Sequence, residues 1–328
     1  MMRDANSGKP STGNTWILRP VLRAILILLL SGVAGCAVTP RTLSIKGTPT
    51  RLMENTILKT EDAAVVSPEQ LAAQLAAARV IYVGEIHTNP AHHAIQLQII
   101  RMLVQTTPDL CIGMEMFDHT YQPVLDRWIA GDLDERTFLQ RTHWYANWRY
   151  DFGLYRDILE YAKEKKLRLV ALNVPFCIPP KISVGGIDSL SEADRGQLPR
   201  HIDLTNTAHR RYVEAIFKMH AIPGRTNFEF FYEAQCTWED GMAAAVAANL
   251  GTGKMVVLAG NGHIIHKFGI PDRAFRRNPA PFKTIYLAPV GEEAEPDWAD
   301  YLWVTPQTPM PRMPPGMAKM KMPPAAKG

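Results

Sequence analysis

What most constrains this chain is a set of five short, unbroken apolar runs, at residues 80–83, 110–113, 167–172, 255–259 and 284–287. Runs of that length without polar alternation suit strands covered on both faces. Helical spacing lies between them. Apolar residues recur at Ile95, Ile99, Met102 and Leu103, and again at Leu154, Ile158, Leu159 and Ala162. A Ser67-Pro68 start before an alanine-rich stretch to Ala78 predicts a further helix, proline being at ease in the first helical turn. Strands alternating with helices imply an α/β fold, a mostly parallel sheet with helices on both faces. The connection from Asn173 to Lys254 is too long for a simple crossover. Its helical patterns at 191–198, 204–220 and 228–250 predict an inserted helical subdomain spanning about 175–227.

Charge separates the ends from the middle. The formal net charge of the 328 residues is +4, and the basic excess comes from Arg3, Lys9, Arg19 and Arg23 near the start and Arg312, Lys319, Lys321 and Lys327 near the end. Residues 36–303 carry 28 basic and 31 acidic residues, a net of −3. That balance excludes a nucleic-acid partner, which needs a concentrated basic footprint. Arg19 and Arg23 precede a ten-residue apolar run at 24–33 that is too short to span a membrane and suits an export signal. The run ends in Val33-Ala34-Gly35-Cys36, which resembles the lipobox of bacterial lipoproteins. The expected organisation is a signal at 1–35, lipidated Cys36 heading a tether and lead-in at 36–66, an α/β domain at 67–303, and a disordered tail at 304–328. Ala37 after the cysteine implies outer-membrane sorting, with the chain facing the periplasm. The tail is rich in proline and carries Met310, Met313, Met317, Met320 and Met322, soft donors suited to copper(I) if the segment is more than a linker. Cys111, Cys177 and Cys236 are expected as buried thiols, or as one disulfide and one thiol.

The chemistry gathers just past the apolar runs. Gly84-Glu85-Ile86-His87 follows the first, Gly113-Met114-Glu115 the second, Asn173 the third and Gly260-Asn261-Gly262-His263 the fourth. In an open parallel sheet the carboxyl ends of the strands share one edge, where ligands bind. Glu85, His87, Glu115 and His263 are therefore expected to converge across 178 positions. Two imidazoles and two carboxylates suit a divalent ion with positions left for water, the centre of a metal-dependent hydrolase. Without metal, His87 is the candidate general base, with Glu115 to orient it. His92 and His93, in the first turn of the next helix, are read either as supporting groups or as exposed histidines.

The segments VIYVGEIHTNPAHHAIQLQII, CIGMEMF, NWRYDFGLYRDILEYAKEKKLRLVALNVP and VVLAGNGHI together resemble the ChaN-like haem-binding uptake lipoproteins over about 80–288. The paired G-x-x-H signatures at Gly84 to His87 and Gly260 to His263 carry the likeness. That superfamily is similar to the Tiki metalloproteases and the erythromycin esterases, in which such histidines and acidic residues form a catalytic or metal centre. The resemblance implies an iron or haem uptake protein that holds haem through a tyrosine of its helical part, between two subunits of a homodimer, with an outer-membrane haem receptor as a further partner. Tyr212 is the candidate ligand, with His209 on its helix face and Arg210 and Arg211 beside it for the propionates. Tyr150 and Tyr155 are the alternatives. No CxxCH motif exists, so the haem would be held non-covalently. On this reading the tyrosine site and the strand-end histidines are separate places.

Overall fold

The computed structural model describes residues 41–219 and 226–307. Its main sheet has eight strands, in the order β4 (Ala64–Val66), β3 (Ile57–Lys59), β11 (Tyr301–Thr305), β9 (Phe282–Pro289), β5 (Val80–Glu85), β8 (Lys254–Gly260), β6 (Leu110–Asp118) and β7 (Arg168–Asn173). The five apolar runs are β5 (Val80–Glu85), β6 (Leu110–Asp118), β7 (Arg168–Asn173), β8 (Lys254–Gly260) and β9 (Phe282–Pro289). They pair in parallel, and β5 lies between β8 and β9. Every residue of β5, β6 and β8 is buried, as expected of strands covered on both faces.

The helices follow from local signals. Ser67 caps the Pro68–Gln74 helix with a reciprocal Gln70 contact, and Asn89 caps the Pro90–Val104 helix over its first turn. One face of the sheet packs a large core through Ile81, Val83, Ile112, Met114, Trp128, Tyr155 and Leu159. The other packs Tyr82, Val170, Val257, Met242 and Val246 against the Phe228–Asn249 helix. The long connection after β7 holds the Ile178–Gly185, Glu192–Arg195 and Thr207–Met219 helices ahead of that one.

Residues 41–66, expected as part of a tether, are instead folded. β1 (Leu43–Ile45) and β2 (Arg51–Leu52) form a small sheet with β10 (Glu293–Ala294), and β3 (Ile57–Lys59) and β4 (Ala64–Val66) extend the main sheet antiparallel. Strands of two or three residues carry no readable period, and the partners that anchor β1 and β3 lie far along the chain, as with Ile57 against Trp303. The domain also runs past 303: β11 (Tyr301–Thr305) is a sixth parallel strand, and its Thr305 is fully buried. The signal-like segment 1–35, Cys36 and the tail methionines lie outside the described residues. Cys111, Cys177 and Cys236 are all free thiols, the first and last buried as expected and Cys177 exposed.

At the end of β5 the fold demands glycine. A Cβ on Gly84 would overlap Oδ1 of Asn261 and lie 2.8 Å from Ile264 Cδ1. Asn261 is not free to retreat, because its amide donates to the Leu287 carbonyl at 2.9 Å. Gly84→Ala is expected to lower unfolding free energy by about 1–3 kcal/mol through overpacking, read from urea midpoints at unchanged slope. A neutral result would mean that the β5 and β8 ends are not in contact.

Candidate functional site

Glu85, His87, Glu115 and His263 meet at one edge of the sheet, but their roles divide. Glu85 is the last residue of β5 and its side chain is wholly buried. One carboxylate oxygen accepts from His87 Nδ1 at 2.7 Å and from the Tyr155 hydroxyl at 2.6 Å. The other accepts from the Gln96 amide at 2.8 Å and faces His93 Nδ1 at 3.4 Å. Burial alone would raise the Glu85 pKa, but the hydrogen bond from His87 and the two neighbouring imidazoles hold it below the usual carboxylate range. The same pairing, with the charge of Glu115, raises the His87 pKa against its own burial. Glu85, not Glu115, thus orients His87.

Glu115 sits within β6, where the ladder with β7 is irregular between Met114 and Asp118. Its Oε2 accepts from the Gly260 N–H at 2.6 Å, and its Oε1 faces His263 Nε2 at 3.4 Å. His263 ends a short 3₁₀ turn directly after β8. Its other nitrogen, Nδ1, lies 3.4 Å from Glu239 Oε1 and 3.2 Å from the Gln235 amide, both on the Phe228–Asn249 helix. Burial pulls the His263 pKa down, yet the two carboxylates outweigh it and push it up to about 10. Glu115 moves the other way, to about 2, because the His263 and His87 imidazoles outweigh its desolvation. A Cβ on Gly260 would come within 3.1 Å of the His87 ring, so glycine lets that ring lie against the turn.

His92 and His93 are both buried, which removes the exposed reading. His92 Nδ1 accepts from the Ile86 N–H at 2.9 Å, its Nε2 meets the Thr305 hydroxyl at 3.0 Å, and burial lowers its pKa to about 3. His93 Nε2 reaches the His87 carbonyl at 3.0 Å. Both Glu85 oxygens and Glu115 Oε2 accept hydrogen bonds, and among the described residues no group of three His, Cys, Asp or Glu side chains is arranged to hold a metal ion. Where an ion centre was expected, the four residues stand as two carboxylate–imidazole pairs, Glu85 with His87 and Glu115 with His263.

Tyr212 is not at a separate place. It lines the same cavity, of about 580 Å³, as His87, His263, Gly260 and Tyr150, together with the apolar Ile86, Val213, Ile216 and Phe231. Its hydroxyl lies 4.0 Å from where a Gly262 Cβ would be, and its ring meets His266 edge-on at 5.9 Å. Burial, and then the charge of Glu239, push the phenol up to about 12. Trp148 and Tyr150 stand against the His87 ring at 4.8 and 4.9 Å. Tyr155 is fully buried on Glu85 and does not line the cavity.

The expected companions of Tyr212 point elsewhere. His209 is buried behind the cavity, with Nε2 3.2 Å from Glu239 Oε2 and Nδ1 3.3 Å from Arg273. Arg210 pairs with Glu229 and stacks over Phe228 and Tyr232. Arg211 is exposed and does not line the cavity. At 100° per residue, neighbours of an inward-facing helical residue turn away from its ligand. Sequence reasoning also missed Gln235 and Glu239. The available signal was the Glu239-Asp240 pair directly before the apolar GMAAAVAA stretch of the helix, where charge needs a partner.

A sequence model of the family described as "Haem-binding uptake, Tiki superfamily, ChaN" matches residues 71–274, more than half the chain. The chain belongs to this ChaN family. Its fold is that of a solved structure titled "Cofacial heme binding to ChaN of Campylobacter jejuni", with a TM-score of 0.61 and 20% identity over 75% of this chain and 95% of that one. An erythromycin esterase mutant in its open conformation is similar at a TM-score of 0.41 and 14% identity, over 72% of this chain and 76% of that one. The curated protein RETICULATA-RELATED 5, chloroplastic, of Arabidopsis thaliana is 23% identical over 72% of this chain, which spans 35% of that protein's length. The family match begins within the Pro68–Gln74 helix and ends within the Ile270–Arg277 helix, so it contains every residue that lines the cavity.

Proposed function

We propose that this ChaN-family chain binds haem in the cavity at the ends of β5 and β8, with Tyr212 as the iron donor. The observation that carries this reading is a cavity of about 580 Å³ whose exposed wall is mainly apolar and whose polar groups include the Tyr212 phenol. Ile86, Val213, Ile216 and Phe231 suit the flat apolar body of a porphyrin, and the phenol suits its iron, so the residues present fit the group. A ferric haem would supply a hard cation for which a phenolate is an apt anionic donor. Without a bound cation Tyr212 keeps its proton, because burial pushes its pKa up to about 12. Ligand binding must therefore release that proton from Oη, and affinity rises with pH.

The finer reading is an envelope lipoprotein, anchored at Cys36 on the periplasmic side of the outer membrane, that serves haem or iron uptake alongside an outer-membrane receptor. Exposed Met219, at the end of the helix that bears Tyr212, suits a homodimer in which a second copy covers the haem. Replacing Cys36 by serine and following acyl labelling tests the anchor.

A second reading, hydrolysis with His87 as base, is favoured by one contact, the 2.7 Å bond from His87 Nδ1 to the buried Glu85 carboxylate. It needs no divalent ion, and the engaged carboxylates do not favour one. Loss of esterase or peptidase activity in His87→Ala, with haem binding intact, would favour it.

The decisive experiment is a ferric-haem titration of wild type, Tyr212→Phe and Tyr150→Phe. Tyr212→Phe is expected to lose the phenolate-to-iron charge-transfer band and at least about tenfold in affinity, the equivalent of one lost interaction of about 1.4 kcal/mol. Tyr150→Phe is expected to retain the band. An unchanged band in Tyr212→Phe would overturn the assignment.

A further inference from the structure

We infer that the two G-x-x-H histidines are not equivalent: Glu239 is a positioning residue that turns His263 away from ligands, and His87 is the imidazole that meets whatever occupies the cavity. The sequence gives the pair the same signature, and only their surroundings separate them.

Both nitrogens of His263 are engaged. Nε2 faces Glu115 Oε1 at 3.4 Å, and Nδ1 faces Glu239 Oε1 at 3.4 Å and the Gln235 amide at 3.2 Å. Set between two carboxylates, the ring carries a proton on each nitrogen, so neither offers a lone pair to a ligand. Glu239 is itself locked. Gln235, one turn earlier on the same helix, donates to its Oε1 at 2.7 Å, while His209 Nε2 and Arg273 Nε stand 3.2 and 3.4 Å from its Oε2. Its side chain is wholly buried, so it cannot swing into solvent. His263 therefore ties the helical segment to the sheet, with one carboxylate from the Phe228–Asn249 helix and one from β6.

His87 has the opposite arrangement. Its Nδ1 is held by Glu85, and Glu85 is held in turn by Tyr155, Gln96 and His93. No group among the described residues holds its Nε2, which rests beside Gly260 at the cavity wall. Its side chain is 25% exposed, against 13% for His263. A carboxylate on Nδ1 with Nε2 open is how proteins present an imidazole as a donor atom or base. This division does not depend on the ligand being haem.

Histidine acylation by diethylpyrocarbonate, followed peptide by peptide by mass spectrometry on the ligand-free full chain, tests it, because the reagent needs an unengaged ring nitrogen. In wild type, His87 is expected to react at least about fivefold faster than His263, roughly the factor that one held hydrogen bond confers. In Glu239→Gln, His263 should accelerate by a similar factor while His87 stays unchanged. Asp240→Asn is the control for a loosened fold, since Asp240 shares the buried cluster through Arg273 and Arg277 but does not touch His263. It should leave the ratio as in wild type. Equal rates for the two histidines in wild type would overturn the proposal, and that comparison needs no variant to fold. A rise at both histidines in Glu239→Gln and Asp240→Asn alike would overturn it as well, by reducing Glu239 to a support of the fold. Haem titration of the same wild-type protein reads the proposed ligand separately.

Discussion

Replacing Arg273 by methionine is expected to destabilise the chain by about 3–5 kcal/mol, the cost of leaving buried charge without its partner. Arg273 is fully buried on the Ile270–Arg277 helix. Its guanidinium pairs with Asp240, lies 3.4 Å from Glu239, donates to the Asp203 carbonyl at 2.9 Å, and touches Cys236 at 3.2 Å. Methionine fills similar space but leaves Glu239 with the Gln235 amide and the His209 and His263 imidazoles, and Asp240 with Arg277 and the Asp203 N–H. The comparison is Arg276→Met, whose guanidinium is half exposed and pairs with Asp203 at 2.7 Å. That variant should cost no more than about 1 kcal/mol. Urea midpoints of the two variants decide the matter; equal costs would mean that the buried cluster is not the keystone of this face. Adding Glu239→Gln and Asp240→Asn to Arg273→Met should recover part of the loss, because the carboxylates would no longer be buried as anions.

Stability should also fall as pH rises above neutrality, by a few kcal/mol, through His263. Its pKa is pushed from 6.5 to about 10, so the folded state binds its proton more tightly than the unfolded chain does. The stabilisation is complete below about 6.5 and is lost as pH climbs through 10. Two groups act in the opposite sense on the acid side. His92, with a pKa lowered to about 3 by burial, costs stability as pH drops below 6.5. Glu115, lowered to about 2, contributes fully above 4.5 and loses that contribution as pH falls through 2. The thermal midpoint should therefore peak near pH 6.5, the ordinary histidine value from which His263 and His92 move in opposite directions. His263→Gln should flatten the alkaline limb and leave the acid limb in place. An alkaline limb that survives that change would show that the clamp between Glu115 and Glu239 does not set it.

Local composition decides much of this architecture. Continuous apolar runs at β5 to β9 can be satisfied only by strands covered on both faces, and parallel pairing then puts Glu85, Glu115 and His263 at one edge whatever their separation in the chain. The G-x-x-H pairs were legible for the same reason, since glycine next to histidine directly after a strand marks a close turn. Local pattern has no hold on β1 to β4 or on β11. β1 and β3 take their register from β10 and β11, well over 200 positions away, and β11 also from β9, while β2 and β4 only fold back onto β1 and β3. Nor could spacing show that His209 and Tyr212, three residues apart on one helix, serve different surroundings: one faces Arg273 and Glu239, the other the cavity. The two histidines make the point most sharply. Their residue type and position at the strand ends follow from the chain alone. That one keeps an open nitrogen and the other does not follows from where Glu85, Tyr155, Gln235 and Glu239 arrive in space, because a hydrogen bond depends on distance and direction across the folded molecule and not on order along it.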